Sequence, residues 1–559
     1  MKNRIVISMF LLFLSTLALK AGKLVISGGE NYPLIHSGVG KKQLHITVSL
    51  DTLCPKAQLH IVIKRNKGEQ EVTRIVRSFT GLKQKDITCA VTFPAWGLYD
   101  YEVTLKNKAT GAVLATACTN IAVVPPREKP GPTDFGVCTH FGHGKGSVPY
   151  SLDLIRLAGF TSIRDEIFWD AVEKKLGMFN FDSKYDKYVN AAVERDIRVL
   201  MLLDYGNPAP GEKVAHAGFP LDESGRRRFA RYVKEMVTRY KDKIHLWELW
   251  NEPSAAIGIK PDTAYFELLK ATYPVIKSIQ PGSELICSGG APNLVDGAFV
   301  KPIVKRGGAH FMDGFAMHTY VAPYTPEDGY ATIGHAFLEQ VSVQSLWPHY
   351  KKMSQQITAE KSAPVDVWIT EMGWHLADPF TTSKGENIMI DDLRQAAYAT
   401  RLFLLSRRYN ATRCVYLYDF QNDGTNPKER EHNFGTIRMD YSPKAAYVAL
   451  AVLSHLLGEK PFTGAIQDTP QTKVFCYGEG ENKIIAFWTV NHYAAPLDKN
   501  AGNITFNPEN RKGNSVMLDL ECKKIKLTNW QGESIILKSK EGKFTLPVTE
   551  NPSFVQMLN

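Results

Sequence analysis

A (β/α)8 barrel between two β-domains is the fold class that this 559-residue sequence predicts. Three observations predict it. Eight apolar, strand-like runs alternate with helical segments between Asp134 and Leu457, at a spacing of about 40 residues that suits a TIM barrel with insertions. Short β-rich runs broken by Gly, Pro and Asn lie on either side of that region. The length exceeds what one compact domain holds, while 44% hydrophobic and 22% charged residues are ordinary for a folded soluble chain.

The chain opens on a targeting segment. Lys2 and Arg4 precede an apolar run from Ile5 to Leu19 that ends on the small residues Ala21-Gly22. Charge, length and flank read as a signal peptide over residues 1–21, too short to span a bilayer. No later run is apolar enough for a membrane helix, and no Cys follows the cleavage point to carry a lipid. The expected location is secreted or periplasmic. Losing the leader removes Lys2, Arg4 and Lys20 from a net charge of +10, and the modest excess that remains demands no acidic partner. Nothing else favours nucleic acid, since Arg226-Arg227-Arg228 opens an amphipathic helix and reads as a solvated face.

Residues 22–128 read as an Ig-like β-sandwich, with runs such as "LHITVSL", "QLHIVIKR" and "GLYDYEVTL" between turn residues. "VVPPREKPGPT" (Val123 to Thr133) reads as a stiff linker. Of the eight cysteines, Cys54, Cys89 and Cys118 share this region, which leaves one bridge open there. Cys138, Cys287 and Cys414 lie in or beside strand-like runs and read as small buried hydrophobes. No C-x-x-C occurs, so a structural zinc site is not expected.

The barrel is expected over residues 129–458. Its strands are placed at "DFGVC", "TSIRDE", "IRVLMLLD", "IHLWELWN", "SELICSG", "MDGFAMH", "VDVWIT" and "RCVYLYD". Helices are expected at "RRRFARYVKEMVTRY", "AYFELLKATYPVIKSI", "DLRQAAYATRLFLLSRRY" and "SPKAAYVALAVLSHLLG"; in the first, Phe229, Val233, Met236, Val237 and Tyr240 make one apolar face. A doubly wound sheet is the rival, but no Gly-rich dinucleotide turn follows the first strand. From residue 459 to 559 β-pattern returns in "KVFCYG", "KIIAFWTV", "SVMLDLE" and "SIILKS" as a second β-domain.

Reacting groups of such barrels sit at the C-terminal ends of strands. Glu252 lies at the end of the fourth strand ("HLWELWNEPS") and Glu371 at the end of the seventh ("VWITEMGWH"), across the mouth from one another. Two facing carboxylates are what glycoside hydrolysis uses. At about 5–5.5 Å apart, one attacks the anomeric carbon while the other protonates the leaving oxygen, and configuration is retained. Ionised Glu371 would keep Glu252 protonated. Pro253 is expected to hold Glu252 extended at the rim rather than let a helix start. Asn251 offers an amide to a hydroxyl beside the reacting carbon. Alternation turns Glu248 into the barrel, where it needs a cation, with Arg164 the candidate, and turns Trp247 away into the core.

These motifs carry a family resemblance. Trp-Asn-Glu-Pro at a fourth strand end with Thr-Glu-x-Gly-Trp at a seventh resembles clan A of the glycoside hydrolases, family 39 and relatives above all. "DIRVLMLLDYGNP", "YPVIKSIQPGSELICSGG", "MDGFAMHTY" and "NFGTIRMDYSPKAAYVAL" extend the resemblance over about residues 134–458. It implies Glu252 as acid/base and Glu371 as nucleophile. It implies that Arg164 on strand two orients the nucleophile, and that His318 and Tyr320 on strand six line the sugar subsite. One departure stands out: where such barrels often end strand eight in Trp-Tyr, this chain has Leu417-Tyr418. The aromatic floor under the sugar is then expected from Trp374 or Tyr418. Trp374 has a second reading, as packing under a loop.

"THFGHGKGS" (Thr139 to Ser147) is expected to line the cleft after strand one, with His140 against substrate. His140 and His143 lack the alternating spacing of zinc ligands, so no metal is expected. Gly-Lys there is no phosphate loop, because Gly146 stands where Ser or Thr is needed. The function expected is a secreted, retaining, cofactor-free glycoside hydrolase on a poly- or oligosaccharide. The alternative is an inactive barrel that only binds carbohydrate.

Overall fold

A computed structural model describes residues 22–26, 28–31, 33–65, 69–257, 260–289, 297–322, 325–327, 346–377, 380–381, 387–388, 390–490 and 512–558. Residues 1–21, read above as a signal peptide, and much of the loop from Thr319 to Phe337 lie outside them. Eight parallel strands close a barrel: β1 (Phe135–Cys138), β2 (Ser162–Glu166), β3 (Arg198–Leu203), β4 (Leu246–Leu249), β5 (Glu284–Cys287), β6 (Gly314–His318), β7 (Asp366–Met372) and β8 (Cys414–Leu417). They fall within the eight apolar runs, β7 reaching two residues beyond its run. Closure is explicit in the register, where Val415 of β8 pairs with Phe135 of β1.

Side chains fill the barrel. Cys138, Leu200, Leu246, Ile286, Ala316, Trp368, Cys414 and Tyr416 form one buried cluster inside it. Two strand glycines make room for the rings. A Cβ on Gly136 would lie 2.6 Å from the Tyr416 ring, and one on Gly314 2.6 Å from Trp368. Cys287 sits buried with the outer core instead. All eight cysteines are free, so the bridge left open among Cys54, Cys89 and Cys118 does not form; Cys54 and Cys89 are buried thiols and Cys118 is exposed.

The helix Glu223–Tyr240 starts where Asp222 accepts the Gly225 N–H at 2.8 Å, and its five expected apolar residues are all buried. Its arginines depart from a uniformly solvated face. Arg227 is exposed, but Arg228 pairs with Glu212 at 2.9 Å and lies 5.0 Å over the Trp169 ring. The helix Asp392–Tyr409 begins and ends as its sequence pattern implies. No described helix is long and apolar enough to cross a membrane.

Two compact units divide the chain. One comprises Gln43–Val91 and Tyr99–Thr119 with the described residues before Ser27; the other takes Gly28–Lys42, Thr92–Leu98 and everything from Asn120 onward. The first is built from long antiparallel strands, with Ala57–Arg65 paired to Tyr99–Asn107. In the second, the stretch read as a linker is tied down, since Arg127 donates to the Leu157 carbonyl and to Ser454. The C-terminal residues form a six-stranded antiparallel sheet from Phe462–Asp468 to Ser534–Lys538 and a two-stranded one, Lys512–Asp519 with Lys543–Thr549. They enclose their own core of Val474, Ile485, Phe487, Val516, Leu518 and Phe544, and Phe475, Tyr477 and Trp488 continue the barrel's core into this sheet.

A buried ion pair joins this sheet to the connection after β6. Glu327 accepts from Arg401 Nε at 2.9 Å and from Trp488 Nε1 at 2.8 Å. Arg401 is fully buried. Glu327→Ala strands that guanidinium and is expected to cost about 3–5 kcal/mol in urea unfolding. Trp488→Phe keeps the ion pair and is expected to cost about 1.5–3 kcal/mol. Equal costs would mean that the pair adds nothing to the indole bond.

Candidate active site

β4 ends at Leu249 and the chain turns at once. Trp250 and Glu252 take left-handed backbone, with φ of 64° and 45°, and a short helix, Pro253–Ile257, follows directly. The expectation of an extended Glu252 is therefore corrected. A proline lacks an N–H to satisfy and its φ is already helical, so it opens a helix well; the bar on right-handed helix at the preceding residue is met here by a left-handed turn. Each such non-glycine residue costs about 1–2 kcal/mol. Trp250 is held there by Phe219 and Phe229, with ring centres 4.7 and 5.8 Å away.

Glu371 reaches the mouth by a different device. Trp368 points into the barrel, and Thr370 does too, donating to buried Glu248 at 3.1 Å. Strict alternation would aim Glu371 outward. β7 carries an extra residue at this point: Ile369 and Met372 pair with Val415 and Leu417, and Met317 and His318 pair with Ile369 and Glu371. The bulge turns Glu371 back over the barrel mouth.

One guanidinium organises the centre. Arg164 on β2 donates to Glu248 at 2.7 Å, to Glu371 at 2.6 Å and to Asn251 Oδ1 at 3.0 Å. Glu248 is wholly buried inside the barrel, and its strand neighbour Trp247 is buried on the outer side, donating to Gln280 at 3.1 Å. Tyr320, just past β6, donates to Glu371 Oε2 at 2.9 Å. His318 Nδ1 lies 2.9 Å from Glu252 and 3.5 Å from Glu371. Carboxylate oxygens of Glu252 and Glu371 and a ring nitrogen of His318 all fall within 4.8 Å of one another.

The two glutamates differ in surroundings. Burial pushes the Glu371 carboxyl up, but His318, Arg164 and the Tyr320 hydroxyl outweigh it and hold it below the usual carboxylate value. Burial pulls His318 down, and Glu371 and Glu252 more than reverse that, so its imidazole holds a proton above the ordinary histidine value. Glu252 is the more open of the pair, with 27% of its side chain exposed against 11% for Glu371.

Next to this centre the loop after β1 is fastened by Asp165, which accepts from Thr139 Oγ1 and from the backbone of Phe141, Gly142 and Glu166 at 2.6–2.9 Å. That places His140 beside β8, with Nδ1 2.9 Å from Asp423 and 3.7 Å from Asp419 and its ring edge-on to Tyr418 at 5.8 Å. Burial pulls His140 down, but the bond to Asp423 and the charges of Asp419 and Asp165 carry it up to about 9. Tyr418 is half-buried, donates to Glu431 at 3.2 Å and lies edge-on to Tyr320 and Phe434.

Trp374 is not part of the mouth. It is 1% exposed, its carbonyl accepts from Gln395 and its ring packs edge-on to Tyr398, so no face is left for a sugar. Three residues past Glu371 the chain has already turned under the helix Asp392–Tyr409. Of the two residues expected to supply an aromatic floor, Tyr418 alone stands by the site.

Sequence reasoning passed over Asp419, Asp204 and Tyr205. Asp419 follows β8, is buried, and neither carboxylate oxygen has a hydrogen-bond partner among the described residues. Burial pushes it well above the carboxylate range, against the pull of His140. Asp204 and Tyr205 follow β3 directly. All three obey the strand-end rule that found Glu252 and Glu371. Among the described residues two groups have metal-like spacing, His140 with Asp419 and Asp423, and Glu252 with His318 and Glu371. Each already holds protein cations, Lys145 at 2.8 Å from Asp423 and Arg164 at 2.6 Å from Glu371, so neither calls for a metal to balance its charge.

Residues 128–406 match the family model for cellulase, glycosyl hydrolase family 5. Over almost the whole chain the structure is similar to a family 39 glycoside hydrolase from the gut symbiont Bacteroides cellulosilyticus WH2, at 28% identity and a TM-score of 0.77, covering 96% of this chain and 100% of that one. A family 30 endoxylanase from Clostridium papyrosolvens C71 matches at 14% identity and a TM-score of 0.49, over 77% of this chain and 97% of that one. No curated protein sequence matches. Motifs, barrel, the family 5 match and the likeness to the family 39 structure agree: the chain is a retaining glycoside hydrolase of clan A.

Proposed function

We propose that this hydrolase is exported and cleaves a poly- or oligosaccharide by double displacement, with Glu371 as nucleophile and Glu252 as acid/base. The observation that carries the assignment is the unequal pair: oxygens within 4.8 Å, one carboxylate held ionised by Arg164 and Tyr320, the other more open and touching His318. Glu371 attacks the anomeric carbon as the bond to the leaving oxygen breaks, and Glu252 gives that oxygen its proton. Glu252, now a carboxylate, takes a proton from water, whose oxygen displaces Glu371 from the same carbon. The charged leader over residues 1–21 supports export.

The test is product release from plant, algal, bacterial and host glycans and from aryl glycosides. Glu371→Ala is run beside the wild type. Sugar released by the wild type alone supports the reading and names the substrate, and product sizes separate internal from terminal cutting. Equal release by both proteins would sink the assignment of Glu371.

A further inference from the structure

We infer that Tyr205 joins Asn251 in reading the sugar hydroxyl next to the reacting carbon, and so is a specificity-determining residue of this site. The inference rests on the glycosidase reading of the Glu252 and Glu371 pair and adds a residue which that reading does not contain.

The hydrogen bonds fix their own direction. A guanidinium only donates, so the Asn251 atom 3.0 Å from Arg164 Nη2 is the amide oxygen, and Nδ2 faces the other way. Nδ2 lies 2.9 Å from the Tyr205 hydroxyl. An amide nitrogen only donates, so the phenol oxygen accepts, and its own proton must go elsewhere. Among the described residues no acceptor stands within reach of it. The second Nδ2 hydrogen of Asn251 is likewise unused. Two donors 2.9 Å apart, one on Tyr205 and one on Asn251 next to Glu252 in the chain, are therefore left for a single hydroxyl oxygen to accept from both.

Tyr205 is built to hold that position. It follows β3, is half-buried, and is clamped between Phe168, stacked at 5.5 Å, and Trp250, edge to face at 5.6 Å. Burial, with Asp204 nearby, pushes the phenol well above the usual tyrosine value, so the donor proton stays in place at neutral pH. Asn251 gives that oxygen one donor and Tyr205 adds a second, so a sugar without the 2-hydroxyl leaves both donors unmatched.

Tyr205→Phe keeps the ring and its packing and removes the hydroxyl. On a 4-nitrophenyl glycoside that the wild type cleaves, kcat/KM is expected to fall about tenfold, and on the 2-deoxy analogue by less than about twofold. Binding gives a readout independent of turnover. By calorimetry the wild type is expected to prefer an iminosugar of the 1-deoxynojirimycin type, which keeps the 2-hydroxyl, and the variant to lose affinity for it but not for an isofagomine type, which lacks that group. Equal losses on both members of either pair, or no loss, would overturn the role of Tyr205 alone. No product but an intact iminosugar preference would overturn the hydrolytic reading and leave this one standing. A wild type that binds neither iminosugar in gluco, galacto or xylo configuration overturns both.

Discussion

Glu371→Ala is expected to lower kcat on an activated aryl glycoside by about 10⁵-fold, and sodium azide to restore much of it. Truncation leaves a carboxylate-sized gap beside Arg164 and the Tyr320 hydroxyl, groups that already bind a negative charge at 2.6 and 2.9 Å. Azide is small, anionic and nucleophilic enough to occupy that gap and attack from the face Glu371 uses. Nothing then displaces it, so the glycosyl azide carries inverted configuration. Glu252→Ala gives the opposite signature. The nucleophile remains, so glycosides with good leaving groups still form the covalent intermediate, while those whose leaving oxygen needs a proton slow sharply. Azide then enters from the other face and the product retains configuration. Proton NMR of the two azides reads the answer. A retained product from Glu371→Ala would exchange the two roles, and residual activity above about a hundredth of wild type would place the nucleophile elsewhere.

The barrel was legible because parallel strands are buried on both faces and so appear as unbroken apolar runs, which "IRVLMLLD" and "RCVYLYD" illustrate. Period-2 alternation was enough to send Glu248 inward and Trp247 outward, and the cost of a buried carboxylate was enough to pair Glu248 with Arg164. The aim of the two glutamates was not legible. Alternation gives the wrong face for Glu371, and only an unpaired residue in β7 corrects it, a matter of register between three strands. Glu252 depends on left-handed turns at Trp250 and Glu252, where a proline suggested extension. Trp374 misled because a motif fixes neighbours in sequence, while the burial of a ring depends on the helix Asp392–Tyr409 packed over it. Asp419 and Tyr205 sit at strand ends like many other polar residues, and what marks them out is proximity to His140 and Asn251, far away in sequence.

Arg164→Met is expected to cost about 3–5 kcal/mol, because it leaves the fully buried Glu248 and the nearly buried Glu371 without their cation. Loss of activity in that variant would be ambiguous, since the barrel itself is weakened. The double variant Arg164→Met/Glu248→Met separates the two roles. Removing both members of a buried pair in favour of apolar groups of similar size is often close to neutral, so most of the stability is expected to return. Activity is not, because Glu371 still lacks its guanidinium. Its carboxyl, held below the usual value in the wild type, must rise, and the acidic limb of the pH–rate profile must move to higher pH with it. Stability follows the same sign. A depressed carboxyl contributes stability above its unfolded value, near 4.5, and loses it as pH falls through the lower folded value. The double variant should lack that contribution and so show a flatter decline in stability below pH 4.5. Urea titrations from pH 3 to 7, read beside kcat/KM over the same range, check both. An unmoved acidic limb in the refolded double variant would mean that Arg164 serves the barrel through Glu248 and leaves the charge of Glu371 to His318 and Tyr320.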